Sequence, residues 1–232
     1  PSYEIIPNVD PEHAQTIIES DITLEQGNQQ TRGALTLKGE QSLMIAGYTL
    51  FMSEQAVKEN IIKWISGETT PQNTSITLPN LSARIVPESL SLDFAFSQQN
   101  KLLRTNNGFG IALDSHWGDS YSQTSDDQEG TMFVNNPSSI KRVRTIKNKA
   151  ITNATALDFK IETPWVRAAR ISHVKGNDTV IEDTIVILKS FITAAETKTP
   201  EFKALKELIK GYCQNVAVIL PESKAETVSG SK

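Results

Sequence analysis

The strongest constraint on this chain's fold is a hairpin signal in its last third. Trp165 to Val174 and Thr179 to Lys189 both carry strand chemistry, the second with Val180, Ile181, Ile185, Val186 and Ile187, and between them lies Lys175-Gly176-Asn177-Asp178. Glycine and asparagine accept the positive backbone angles that a tight reversal between twisted strands requires. A strand pair of this length is not stable alone in water. It commits the chain to a sheet of several strands with other elements packed on one face.

Shorter runs supply the other strands. Thr31 to Leu37 and Thr155 to Glu162 alternate apolar and polar residues, the mark of a half-buried strand, and Leu43 to Phe51 is almost continuously apolar, as in a central strand. Ser75 to Leu78, Ala83 to Val86, Leu90 to Phe96, Gly108 to Leu113 and Gln214 to Leu220 add short candidates. Two helices are predicted. The first, about 53–66, has Ser53 as N-cap and an apolar stripe of Val57, Ile61, Trp64 and Ile65. The second, about 200–212, has Thr199 as cap, Pro200 at the first position and a stripe of Phe202, Leu205, Leu208 and Ile209. Asp10-Pro11-Glu12 repeats the cap-then-proline logic and predicts a third helix reaching Ile18. The expected fold is therefore α+β: an antiparallel or mixed sheet packed by the 53–66 and 200–212 helices, with the 165–189 hairpin near its centre. Residues 1–221 read as one domain and 222–232 as a polar tail.

Composition narrows the class. Hydrophobic residues make up 38% of the 232 and charged residues 22%, enough apolar content for a folded core and not the balance of a disordered chain. The single cysteine, Cys213, excludes an internal disulfide, and no apolar run approaches the ~20 residues of a membrane-spanning helix. No secretory signal is visible, so a cytoplasmic or otherwise intracellular protein is expected, with no membrane partner.

Charge is distributed unevenly. From Lys141 to Lys175 the chain carries nine bases (Lys141, Arg142, Arg144, Lys147, Lys149, Lys160, Arg167, Arg170 and Lys175) against Asp158 and Glu162, a net +7 in a chain of net −4. Directly before it, Asp114 to Asn136 has no apolar periodicity and holds Asp114, Asp119, Asp126, Asp127, Glu129 and His116 with no Lys or Arg before Asn136. Carboxylates with an imidazole suit a divalent cation, which makes Asp114, His116 and Asp119 candidate metal ligands, although their spacing fits no known metal motif.

The basic run suggests two functions. Opposite charge in adjoining segments suits a structural or assembly subunit that associates with copies of itself or with a larger complex. A cationic face built from Lys141, Arg142, Arg144, Lys147, Lys149, Arg167 and Arg170, with Trp165 able to stack on a base, suits nucleic-acid binding or metal-dependent processing. Asp158-Phe159-Lys160, with Glu88 or Asp93 as an upstream carboxylate, is the only nuclease-like triplet. No phosphate-binding loop, dinucleotide fingerprint, nucleophile elbow or H-E-x-x-H occurs, and no cofactor is implied. The leading expectation is a non-enzymatic assembly subunit.

Overall fold

A computed structural model describes residues 10–25, 28–67, 71–79, 88–99, 102–106, 108–113, 117–125 and 127–219. The strand expected at 83–86 and the tail at 222–232 lie outside them. The α+β class is observed, with strands dominating.

A 3-10 turn, Pro11–His13, opens the described chain, capped by Asp10, whose carboxylate accepts from the Glu12 amide at 3.0 Å. The predicted helix ends there. Thr16, Ile17, Ile18, Ile22 and Thr23 are β-branched, and the chain continues as β1 (Ala14–Glu25), with Ala14, Thr16, Ile18 and Ile22 buried at alternate positions. It pairs with β2 (Asn28–Gly39) along its whole length. Gly39 closes β2 at φ +58°, where a Cβ would lie 1.7 Å from the His13 carbonyl oxygen, so only glycine fits.

After Gly39 comes the largest correction to the sequence reading. Residues 40–51 are a helix, α1 (Glu40–Phe51), and not a central strand. Ser42 Oγ donates back to the Gly39 carbonyl at 2.7 Å, and only Ser42 and Ile45 are buried. Continuous apolarity mimics a buried strand; here it instead leaves Leu43, Tyr48, Leu50 and Phe51 exposed, Phe51 to 89%. The next helix, α2 (Glu54–Ser66), starts as predicted, with Ser53 accepting from the Ala56 amide, and buries Val57, Ile61 and Ile62. Trp64, expected in its core stripe, is 43% exposed.

The chain continues through β3 (Gln72–Ile76), β4 (Ser89–Gln98), β5 (Leu102–Thr105), β6 (Gly108–Ala112), α3 (Asp119–Ser122), β7 (Met132–Phe133) and β8 (Ser138–Ile146). The predicted 155–162 strand divides into a helical turn, α4 (Ala154–Leu157), and a shorter strand, β9 (Phe159–Glu162). The hairpin forms as read, β10 (Val166–Lys175) and β11 (Asp178–Ile187), reversing through Gly176 at φ +62°. β12 (Phe191–Ile192), α5 (Ala194–Thr197), α6 (Pro200–Cys213) and β13 (Val216–Ile219) complete it. Thr199 caps α6, which buries Phe202, Leu205, Ile209 and Tyr212 and runs through Gly211 to Cys213.

The main sheet has the order β3-β4-β2-β1-β8-β11-β10-β9. Every pairing is antiparallel except β1 with β8, so two antiparallel halves meet at a parallel seam. The seam, and not the 166–187 hairpin, is the centre. Three apolar clusters cover one face of this sheet: α1 and α2 over β1, β2 and β4; α6 over β9, β10 and β11; and the small β13-β6-β5 sheet at one end.

Candidate functional site

Strand alternation decides where the basic run goes. Successive side chains of β8 point to opposite faces. Lys141 and Lys147 fall on the outer face. Ile140, Arg142 and Arg144 fall on the inner face, beside Thr16, Ile18 and Ser20 of β1 across the seam. On β10, Arg167 is outward and exposed, whereas Arg170 is 1% exposed. The nine bases therefore form no single surface.

Inside, one carboxylate meets three arginines. Asp183 of β11 is 3% exposed. Its Oδ2 accepts from Arg144 at 2.5 Å, and its Oδ1 accepts from Arg170 Nε at 2.6 Å and from the Tyr212 hydroxyl at 2.5 Å. Arg170 also donates to the Tyr212 carbonyl at 3.3 Å and stacks 4.2 Å over the Tyr212 ring. Burial alone would raise the Asp183 carboxyl; Arg144, Arg170 and the Tyr212 hydroxyl outweigh it and hold the group below the ordinary carboxylate range.

Arg142 is treated differently. Among the described residues its guanidinium has no hydrogen bond and no ion pair. Burial, then repulsion from Arg144, pushes it down to about 9 from the ordinary arginine value, against a weaker pull from Asp183. Protein surrounds it, and the surface it retains opens into a cavity of about 610 Å³ that lies between the apolar clusters over the β1–β8 seam. Among the described residues, Arg142, Arg144 and Asp183 are the only charged ones lining it. Its other walls come from Thr16, Ile18 and Ser20 of β1, Phe96 and Gln98 of β4, Met44 of α1 and Trp64 of α2. Trp117, also in the wall, has a buried Nε1 with no hydrogen-bond partner. Among the described residues, three cations against one anion leave a net positive site, and a cavity of this size suits a small molecule.

The other expected site residues do other work. Lys141 pairs with Glu182 at 3.7 Å, Lys147 with Asp178 at 2.5 Å, and Lys160 with Glu162 at 2.8 Å. Lys149 is half-buried in the turn after β8, and its carbonyl accepts from Thr179. Trp165 is 4% exposed, edge-on to Phe202 at 5.2 Å, and donates Nε1–H to Glu196 at 3.1 Å, so it offers no face to a base. Of the metal candidates, Asp114 and His116 lie outside the described residues and Asp119 opens α3; among the described residues no group of three or more metal-ligating side chains forms. Asp158 accepts from both the amide and hydroxyl of Ser172, and exposed Lys160 pairs with Glu162. Asp183 and Tyr212 were missed in the sequence. The signal for Asp183 was present: it is the one acid interrupting the apolar alternation of Thr179 to Ile187 on the buried side.

No family model, curated protein or solved structure matches this chain. No helix among the described residues is long and apolar enough to cross a membrane.

Proposed function

We propose that this protein binds a small acidic molecule, whose anionic group enters the cavity over the β1–β8 seam and takes Arg142 as its main partner. The observation that carries the reading is Arg142 itself. A largely desolvated guanidinium with no hydrogen-bonded carboxylate among the described residues costs stability, and neighbouring Arg144 adds repulsion. An anion placed there gains charge-assisted hydrogen bonds in a low-dielectric wall, each about 1.5–3 kcal/mol. Asp183 orients the site by holding Arg144 and Arg170 in fixed positions. The test is a thermal-shift screen with benzoate, phenyl phosphate, octanoate and inorganic phosphate on the native protein and on Arg142→Met. At least one anion is expected to raise Tm in the native protein and not in the variant. No shift with any of them, or equal shifts in both proteins, would refute the proposal.

A second reading, an assembly subunit associating with itself or with a larger complex, is favoured by a different observation. Helix α1 presents Leu43, Tyr48, Leu50 and Phe51 to solvent, with Met52 beside it. Contiguous apolar surface of this kind marks protein contacts more often than it marks nothing. The driving force would be apolar and not charge complementarity, since Lys141, Lys147 and Lys160 are neutralised locally. For nucleic-acid binding, exposed Arg167 and Lys175 stand on the outer face with His173 between them, beside exposed Lys141 and Lys160 in their surface ion pairs.

A further inference from the structure

Among the described residues, charge is confined to one end of the cavity. All three charged lining residues, Arg142, Arg144 and Asp183, stand on β8 and β11. The lining residues from β2, β4, α1 and α2 are uncharged; among their polar members Gln29 donates to Thr31 at 3.1 Å and Gln98 to the Ser66 carbonyl at 3.4 Å, while Gln41 adds a further uncharged amide. Between them lie Phe96, Ile65, Trp64 and Met44. Trp64 and Met44 are 43% and 38% exposed, so the apolar end reaches solvent, as does the cavity at exposed Asn135 just before β8. The two ends are far apart. Arg142 aligns with Ile18, and Phe96 aligns through Thr31 with Ile22, so they are separated by three strand spacings across the sheet and four residues along it. That is roughly 15–20 Å at ordinary sheet spacings.

We infer that the ligand is an elongated amphiphilic acid: a carboxylate held by Arg142 at the β8 end, and an uncharged, mainly apolar body that crosses β1 and β2 to the Trp64–Phe96–Met44 wall. This rests on the anion-binding reading and adds the body. A compact anion would fill only the β8 end and leave the apolar end wet. The apolar wall gives each added methylene surface to bury, up to the length of the cavity.

The test is a binding series on the native protein with acetate, butyrate, hexanoate, octanoate and decanoate, and with 1-decanol, followed by Trp fluorescence and calorimetry. Affinity is expected to climb about fourfold per methylene across the series, at the ordinary value of a buried methylene. Decanol is expected to bind at least tenfold more weakly than decanoate. Trp64→Ala is expected to flatten the chain-length dependence, and Arg142→Met to erase the preference for acid over alcohol. If acetate binds as tightly as decanoate, the elongated body is wrong and the anion site stands. If decanol matches decanoate, the anion site itself is wrong. If no member of the series binds, the amphiphile is overturned, and benzoate and phosphate decide the anion site separately.

Discussion

Asp183 and Arg142 are direct cross-strand neighbours in the β8–β11 ladder, yet the carboxylate bonds elsewhere. Its oxygens go diagonally to Arg144 and onward to Arg170 and Tyr212. Asp183 thus bonds Arg170, its facing residue on β10, and Arg144, while Arg142, its facing residue on β8, receives no hydrogen bond among the described residues and lines a cavity.

Stability and binding are expected to oppose each other at Arg142. Arg142→Met removes a desolvated charge that Asp183 offsets only weakly and keeps its apolar length, so it is expected to raise unfolding free energy by about 1–2 kcal/mol in urea melts. A loss of similar size would mean that Arg142 is a structural member of the Asp183 network. The pH dependence has a definite sign. Because burial pushes Arg142 down to about 9, its cost is present below that pH and is relieved as pH rises past it. The stability gap between variant and native protein is expected to narrow above pH 9.

Removing the organising acid has the reverse effect. Asp183→Asn leaves Arg144 and Arg170 buried without a counter-charge and is expected to cost about 3–5 kcal/mol. Tyr212→Phe deletes one hydrogen bond to the same oxygen and is expected to cost about 1–2 kcal/mol. Asp183 is held below its ordinary value, so its contribution is present above the unfolded carboxylate range and is lost as pH falls through the native one. Chemical denaturation of the two variants between pH 3 and 7 checks both: the Asp183→Asn penalty shrinks in acid.

Much of the fold was legible because it was local. The Gly176-Asn177 reversal and the Ser53 and Thr199 caps each depend on a few adjacent residues, and each formed as read. Helix α1 was not legible, since Leu43 to Phe51 carries no polar face to reveal a helical period, and what ends β2 is the contact between Gly39 and His13, 26 residues apart in sequence. The candidate site was half legible. The basic run was visible, but whether a residue of β8 faces in or out depends on the register with β1, which is set by residues 124 positions away. That register turned Arg142 and Arg144 inward while Lys141 and Lys147 stayed outside.

A separate polar group anchors the α5 end of the molecule. Glu196 accepts from Lys189, from Trp165 Nε1 and from the Thr193 amide, and these contacts together outweigh burial and hold it at about 2. The stability it supplies is full above its unfolded value near 4.3 and is lost as pH falls toward 2. Glu196→Gln is expected to cost about 1–2 kcal/mol at pH 7, after allowance for its partial exposure, and almost nothing at pH 2. Guanidinium melts at the two pH values measure it. An equal cost at both would show that charge is not what Glu196 contributes.

Helix α1 carries its own expectation. Leu50→Ser with Phe51→Ser removes exposed apolar surface without touching buried Ile45 or Ser42. Melting temperature is expected to move by less than about 3 °C, and any concentration-dependent association seen by light scattering is expected to fall. Association that persists unchanged in the double variant would remove α1 from the assembly reading.

The account turns on whether Arg142 exists to hold an anion. Calorimetric titration of decanoate into the native protein and into Arg142→Met, at pH 7 and matched ionic strength, measures this directly. Saturable one-to-one binding in the native protein and a loss of at least tenfold in a variant that melts no lower would bear the account out. Equal binding in the two proteins would contradict it.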